Sequence, residues 1–155
     1  DGHQLSLIKY PRYLGLDTSK TAIELCRQSF AGDDGKRFMA YQSGDPILEQ
    51  AEMAVSLDVI YHLLEDAVYD QYMSDLFSAA TRLVVAYSSD TEEPAEWPEV
   101  RHRNFTAWVA DNEPSWRLAR RIPNRYPYVY GDVDSSWADF FIFEKRPRRW
   151  WHRVK

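Results

Sequence analysis

Apolar residues along this chain fall alternately into short, nearly continuous runs and into stripes at helical spacing. Tyr13-Leu14-Gly15-Leu16-Asp17 is a β-rich run ending in an acid, with Thr18 placed to cap a helix just after it. Ala22, Ile23, Leu25, Cys26 and Phe30 then recur as on one helix face until Ala31-Gly32-Asp33-Asp34-Gly35 stops it. Arg37 to Tyr41 reads as a second strand and Asp45-Pro46 as a loop. Met53 to Asp58 is a third strand, apolar enough to be buried on both faces. From Glu65 onward Val68, Tyr69, Tyr72, Met73, Leu76, Phe77 and Ala80 form one helical stripe with acids in its first turn, and Leu83 to Tyr87 is a fourth strand.

Strand-then-helix units in succession call for parallel strands joined by right-handed crossovers. After an acidic, Pro-broken loop from Ser88 to Val100, a short helix around Phe105, Trp108 and Val109 is expected, with Asn104 as its cap. Trp116 to Ile122 and Trp137 to Phe143 come next with no helix between them, which reads as an antiparallel pair. The pattern therefore predicts an α/β, Rossmann-like, doubly wound and mostly parallel sheet with an antiparallel C-terminal strand pair, layered αβα.

Composition narrows the class. The chain has 155 residues, enough for one domain with a core, and its 45% apolar and 28% charged fractions are those of a globular protein. The single cysteine, Cys26, reads as a small buried hydrophobe and leaves no internal disulfide, which fits a reducing compartment. No apolar run approaches the ~20 residues of a membrane span. Asp1-Gly2-His3-Gln4 lacks the start of a signal peptide, so a cytoplasmic location is expected. The net charge of -5 is uneven: residues 1–100 carry 7 Lys/Arg against 18 Asp/Glu, and residues 101–155 carry 12 against 6. Anions, if bound, should meet the C-terminal part.

Several residues are candidates for chemistry. Asp17, at a strand tip before a helix, suits the hydroxyls of a ribose, and equally a turn or cap. His62 and His102, with Asp58, are candidate general bases, and His62 serves as well as a hydrogen-bonded residue at a helix start. Arg101-His102-Arg103 sets cations where a helix macrodipole disfavours them, which suggests either a held anion or pairing with Glu92, Glu93, Glu96 or Glu99. The aromatics Trp97, Trp108, Trp116, Tyr126, Tyr128, Tyr130 and Trp137 read as core or as walls of a pocket. No cluster with metal-ligand spacing is seen.

Asp1-Gly2 followed by Tyr13-Leu14-Gly15-Leu16-Asp17 resembles the end of the glycine motif and the acid-tipped second strand of class I S-adenosylmethionine-dependent methyltransferases. Ser56-Leu57-Asp58-Val59-Ile60-Tyr61-His62-Leu63-Leu64-Glu65-Asp66 is similar to that family's fourth strand and following turn. Arg82 to Ser89 is similar to its fifth strand, and the antiparallel pair to its reversed seventh. The resemblance implies a methyltransferase domain over residues 1–145 that lacks its first strand, followed by a basic tail over 146–155. It implies S-adenosylmethionine as cofactor, held by Asp1 and Gly2, by Asp17 and Thr18, by Gln42 and Asp45, and by Ser56, Leu57 and Asp58. The acceptor is expected to be a small molecule with an anionic group, near Ser88, Ser89, Arg101, Arg103 and Tyr128, with His62 or His102 as base.

Three other readings share these features. A nucleic-acid methyltransferase would use the tail with Trp150 and Trp151, against the overall acidity. An NAD-dependent dehydrogenase would use Asp17 in the same way, but the antiparallel final pair favours the methyltransferase. A non-catalytic protein would use the fold only as a binding surface. The sequence sets no oligomeric state.

Overall fold

The structure, a computed structural model, describes residues 5, 9–46 and 49–147. The chain divides after Asp45 into two compact units. Among the described residues no helix is long and apolar enough to cross a membrane.

In the first unit, β1 (Tyr13–Asp17) and β2 (Lys36–Ala40) pair in parallel, with α1 (Lys20–Ser29) between them in sequence. The cap of α1 is Ser19 and not Thr18, its Oγ accepting from the Ala22 N–H at 3.2 Å. The reason lies one step upstream. Asp17 Oδ1 accepts from the Ser19 N–H at 2.8 Å, a local turn that extends the chain by one residue before the helix starts. Gly15 stands opposite Phe38 in the register, and a Cβ there would lie 2.7 Å from the Phe38 ring. The ring thus closes over bare backbone. Ile23 from the helix is buried as Phe38 is, and Arg27 donates through Nε and Nη2 to the Phe38 carbonyl at 3.1 and 2.8 Å, tying helix to strand. Cys26 is half-buried, less covered than its apolar character suggests.

The second unit is a four-stranded sheet in the order β3-β4-β6-β5, built from β3 (Ala51–Leu57), β4 (Ala80–Ser88), β5 (Trp116–Ile122) and β6 (Asp139–Lys145). β3 and β4 are parallel, while β6 runs antiparallel to both β4 and β5. The expected antiparallel pair is present, and β6 also enters the sheet between β4 and β5. Helices α2 (Asp66–Ser78) and α3 (Phe105–Asn112) cover one face.

That face is the core. Val84 and Ala86 of β4 and Phe141 and Phe143 of β6 meet Met73 and Phe77 of α2 and Phe105 and Val109 of α3. Phe77 sets its ring edge-on to Trp116 and Phe143, each at 5.4 Å, and Phe105 does so to Phe141 at 4.9 Å. Each such side chain contributes about 1.5 to 3 kcal/mol by leaving water. α3 is capped as its sequence predicts, Asn104 Oδ1 accepting from the Ala107 N–H at 3.1 Å. The opposite face is less covered: Val55, Leu57, Phe140 and Ile122 are 38 to 45% exposed. Among the described residues β1 is laddered only to β2, and β3 only to β4.

Candidate functional site

In the first unit, β1 ends on Asp17, exposed, with one carboxylate oxygen already fixed by the Ser19 amide. Thr18 beside it is also exposed. Past β2, Asp45 Oδ2 accepts from the Gln42 N–H at 2.8 Å while the Asp45 N–H donates to the Gln42 carbonyl at 2.9 Å. Asp45 therefore closes its own turn, the alternative its Asp-Pro sequence left open. Asp1 and Gly2 lie outside the described residues.

In the second unit, β3 and β4 end side by side. Ser56 turns inward, 2% exposed, with Oγ 2.8 Å from the Tyr72 hydroxyl. Its side chain is thus unavailable to a cofactor, because alternation along the strand puts it on the helix-covered face. Leu57 points to the open face. Asp58 takes a left-handed backbone, φ 57°, its N–H donating to the Tyr87 carbonyl at 3.1 Å and its carboxylate accepting from the Tyr61 hydroxyl. A non-glycine residue rarely sits there, and such positions gather at sites where direction matters. Burial and the hydrogen bond to Asp58 push the Tyr61 phenol well above its ordinary value.

The loop after β4 folds back on the short 3₁₀ turn Ile60–His62. His62 Nδ1 lies 3.0 Å from the Glu99 carbonyl, and the Arg101 N–H donates to the Tyr61 carbonyl at 2.8 Å. Arg101 and Arg103 do not take the expected partners in the acidic loop. Both donate to Asp66 Oδ1, at 2.9 and 3.0 Å, and to the Leu64 carbonyl, at 2.7 and 2.9 Å. Arg103 also reaches the Leu63 carbonyl at 2.5 Å and lies over the Tyr69 ring at 4.4 Å. Hydrogen bonding from Arg103, with the charge of Arg101 beside it, holds the Asp66 carboxyl below its ordinary value. The arginines are thus a clamp on the start of α2.

Between them His102 reaches a hollow of about 530 Å³ walled by residues of the loop, among them Glu92, Glu93, Glu96, Trp97 and Arg101. Its Nδ1 is 2.7 Å from Ser89 Oγ, and its ring lies 5.3 Å from Trp137. Trp137 in turn stacks on Tyr128 at 4.0 Å, and the Tyr128 hydroxyl donates to Glu96. Burial lowers the His102 pKa, so the ring is neutral at pH 7. Ser88 and Ser89 are 0% and 1% exposed, the hydroxyl of the first without a hydrogen-bond partner among the described residues and the second behind His102. Neither hydroxyl can touch an acceptor directly. Among the described residues no group of three or more His, Cys, Asp or Glu is placed to hold a metal ion. Of the basic tail of the nucleic-acid reading, residues 146–155, positions 148–155, Trp150 and Trp151 among them, lie outside the described residues.

The sequence missed two parts of this arrangement. One is Asp66 as partner of the arginines, and the other is Asp90, whose carboxylate accepts from the N–H and the hydroxyl of Thr106 at 3.0 and 2.7 Å. Both partnerships join distant segments. Asp66 was legible only as an acid in the first turn of a helix.

No protein-family model matches the sequence, and no curated protein matches it. Solved structures do resemble the fold. One is the N-methyltransferase NodS from Bradyrhizobium japonicum WM9, with TM-score 0.67 and 13% identity over 88% of this chain and 74% of that one. Another is magnesium protoporphyrin IX methyltransferase, ChlM, from Synechocystis PCC 6803 with bound SAM, with TM-score 0.61 and 15% identity over 85% and 58%. A third, described as a pericyclic reaction enzyme, has TM-score 0.59 and 12% identity over 92% and 38%. The chain has the Rossmann-like fold of class I methyltransferases, and it spans 58% of the ChlM chain. At such identities the likeness establishes the fold and leaves the reaction open.

Proposed function

We propose that the protein transfers a methyl group from S-adenosylmethionine to a small-molecule acceptor. The observation that carries this reading is the strand order β4-β6-β5, with an antiparallel strand set between two others. That arrangement suits a methyltransferase and not the NAD-dependent dehydrogenase that Asp17 alone would allow. ChlM with bound SAM, and NodS in complex with S-adenosyl-L-homocysteine, support the choice of cofactor.

The residues fit such a cofactor at one end. An exposed carboxylate, fixed at a strand tip by a backbone amide, has the acceptor chemistry a ribose diol requires, and this is Asp17. In the second unit Leu57 and Asp58 at the end of β3 are the candidates, since the Ser56 hydroxyl is engaged with Tyr72; in the first unit Asp45, exposed and with one carboxylate oxygen on the Gln42 amide, keeps the other, as Asp17 does. When bound, the cofactor would supply a sulfonium methyl as an electrophilic carbon with a neutral thioether as its leaving group. For an acceptor that must lose a proton, His102 is the base. Its ring is neutral, it lines the hollow, and Nδ1 is the nitrogen engaged with Ser89. His62 is held on the Glu99 carbonyl and is the weaker candidate. With Arg101 and Arg103 bound to Asp66, the anionic group expected on the acceptor loses its support.

Thermal unfolding with S-adenosylmethionine, S-adenosylhomocysteine and NAD in turn tests the reading. The first two should stabilise the protein, by about 2.7 kcal/mol at a hundredfold excess over Kd, and NAD should not. Stabilisation by NAD alone, or by none of the three, overturns it.

A further inference from the structure

We propose that Ser89 is the positioning residue of the base: its hydroxyl oxygen accepts the Nδ1–H of His102 and leaves Nε2 to take the acceptor's proton. The proposal rests on the methyl-transfer reading and adds a residue that the reading does not require. Three observations carry it. Ser89 follows the last residue of β4 and is 1% exposed, so its hydroxyl has no access to bulk water, and it lies 2.7 Å from Nδ1. The chain on its far side is pinned by Asp90, which holds both the N–H and the hydroxyl of Thr106. His102 is pinned as well, by Arg101 and Arg103 on either side of it and by Trp137 against its ring. The 2.7 Å separation therefore joins two fixed points and not two mobile side chains.

The chemistry explains why a hydroxyl suits this place. A histidine that accepts a proton on Nε2 carries a hydrogen on Nδ1 both before and after the transfer. That hydrogen needs an acceptor throughout, and a serine oxygen accepts from the neutral ring and from the imidazolium without reorganising. A carboxylate in the same place would raise the ring's basicity. The neutral hydroxyl fixes the tautomer and leaves burial to keep the ring uncharged. Without it, Nδ1–H would face a buried wall with no partner, and the ring would turn to the Nε2–H form, which cannot act as a base at the hollow.

Histidine tautomers are read directly from long-range ¹H–¹⁵N correlations. The chain has four histidines, His3, His62, His102 and His152, and His102→Gln identifies the signal in question. At a pH where the ring is neutral, the full chain should show His102 with Nδ1 protonated and Nε2 bare. Ser89→Ala, with its backbone amide spectrum otherwise unchanged, should lose that pattern, and Ser89→Thr should keep it. A wild-type His102 with the proton on Nε2 overturns the proposal, as does an Nδ1–H tautomer that survives in Ser89→Ala. If Ser89→Ala does not fold, the wild-type and Ser89→Thr tautomers decide. The measurement uses neither cofactor nor acceptor, so its failure is distinct from a failure to bind S-adenosylmethionine.

Discussion

Asp17 holds the Ser19 amide with one carboxylate oxygen, which sets the direction of the side chain at the end of β1 before any ligand arrives. Fixed carboxylates make strong, charge-assisted bonds to hydroxyls. Asp17→Ala should therefore weaken S-adenosylhomocysteine binding by about 1.5 to 3 kcal/mol in calorimetry. The fold should change little, because Ser19 keeps its own bond to the Ala22 amide. Unchanged affinity would remove Asp17 from the site. His102 belongs to the same scale. Its lowered pKa means that the folded state gives up stability as pH falls below the unfolded histidine value near 6.5.

Between elements, the decisive feature is the clamp that joins the segment around His102 to the start of α2. Asp66 receives two guanidinium groups, and the Leu63 and Leu64 carbonyls, left free by the turn before the helix, receive the rest. The Arg103 side chain is 13% exposed, so its removal leaves a covered carbonyl without a donor and uncovers the Tyr69 ring. Arg103→Ala should lower stability to denaturant by about 1 to 3 kcal/mol with S-adenosylhomocysteine affinity unchanged. An unaltered stability with a raised acceptor KM would restore the anion-binding role. Because Asp66 has its carboxyl lowered, the clamp holds above the unfolded carboxyl value and weakens as pH falls through the lower folded one.

Across the whole molecule, the two units differ in how much they bury. The first has one parallel strand pair with Ile23 and Phe38 beneath its helix, whereas the second packs four strands and two helices around one continuous cluster. Two-stranded pieces are marginal in water, and local opening follows the least buried parts. In native-state hydrogen exchange the amides of β1 and β2 should exchange well before those of β4 and β6. Equal protection in both sets would show instead that the chain unfolds as a single cooperative unit.

Hydrophobic period, caps and breakers act within a few residues, so the elements could be read from the chain alone. The stripe from Val68 to Phe77, the Asn104 cap and the antiparallel strand pair were legible in this way, although Ala80, read with the stripe, opens β4 and the strand expected over Trp137 to Phe143 runs over Asp139–Lys145. Asp17 at its strand tip was legible too. What the polar groups near the site do depended on contacts between distant segments. Arg101 meets the Leu64 carbonyl across 37 positions and Arg103 meets it across 39, while Ser56 and Ser89 find Tyr72 and His102 across 16 and 13. The hydroxyl of Ser88, adjacent to Ser89, finds no hydrogen-bond partner among the described residues. Nothing in local spacing distinguishes a serine that faces a ligand from one that faces a helix, since the direction is set by strand register and by what packs on each face.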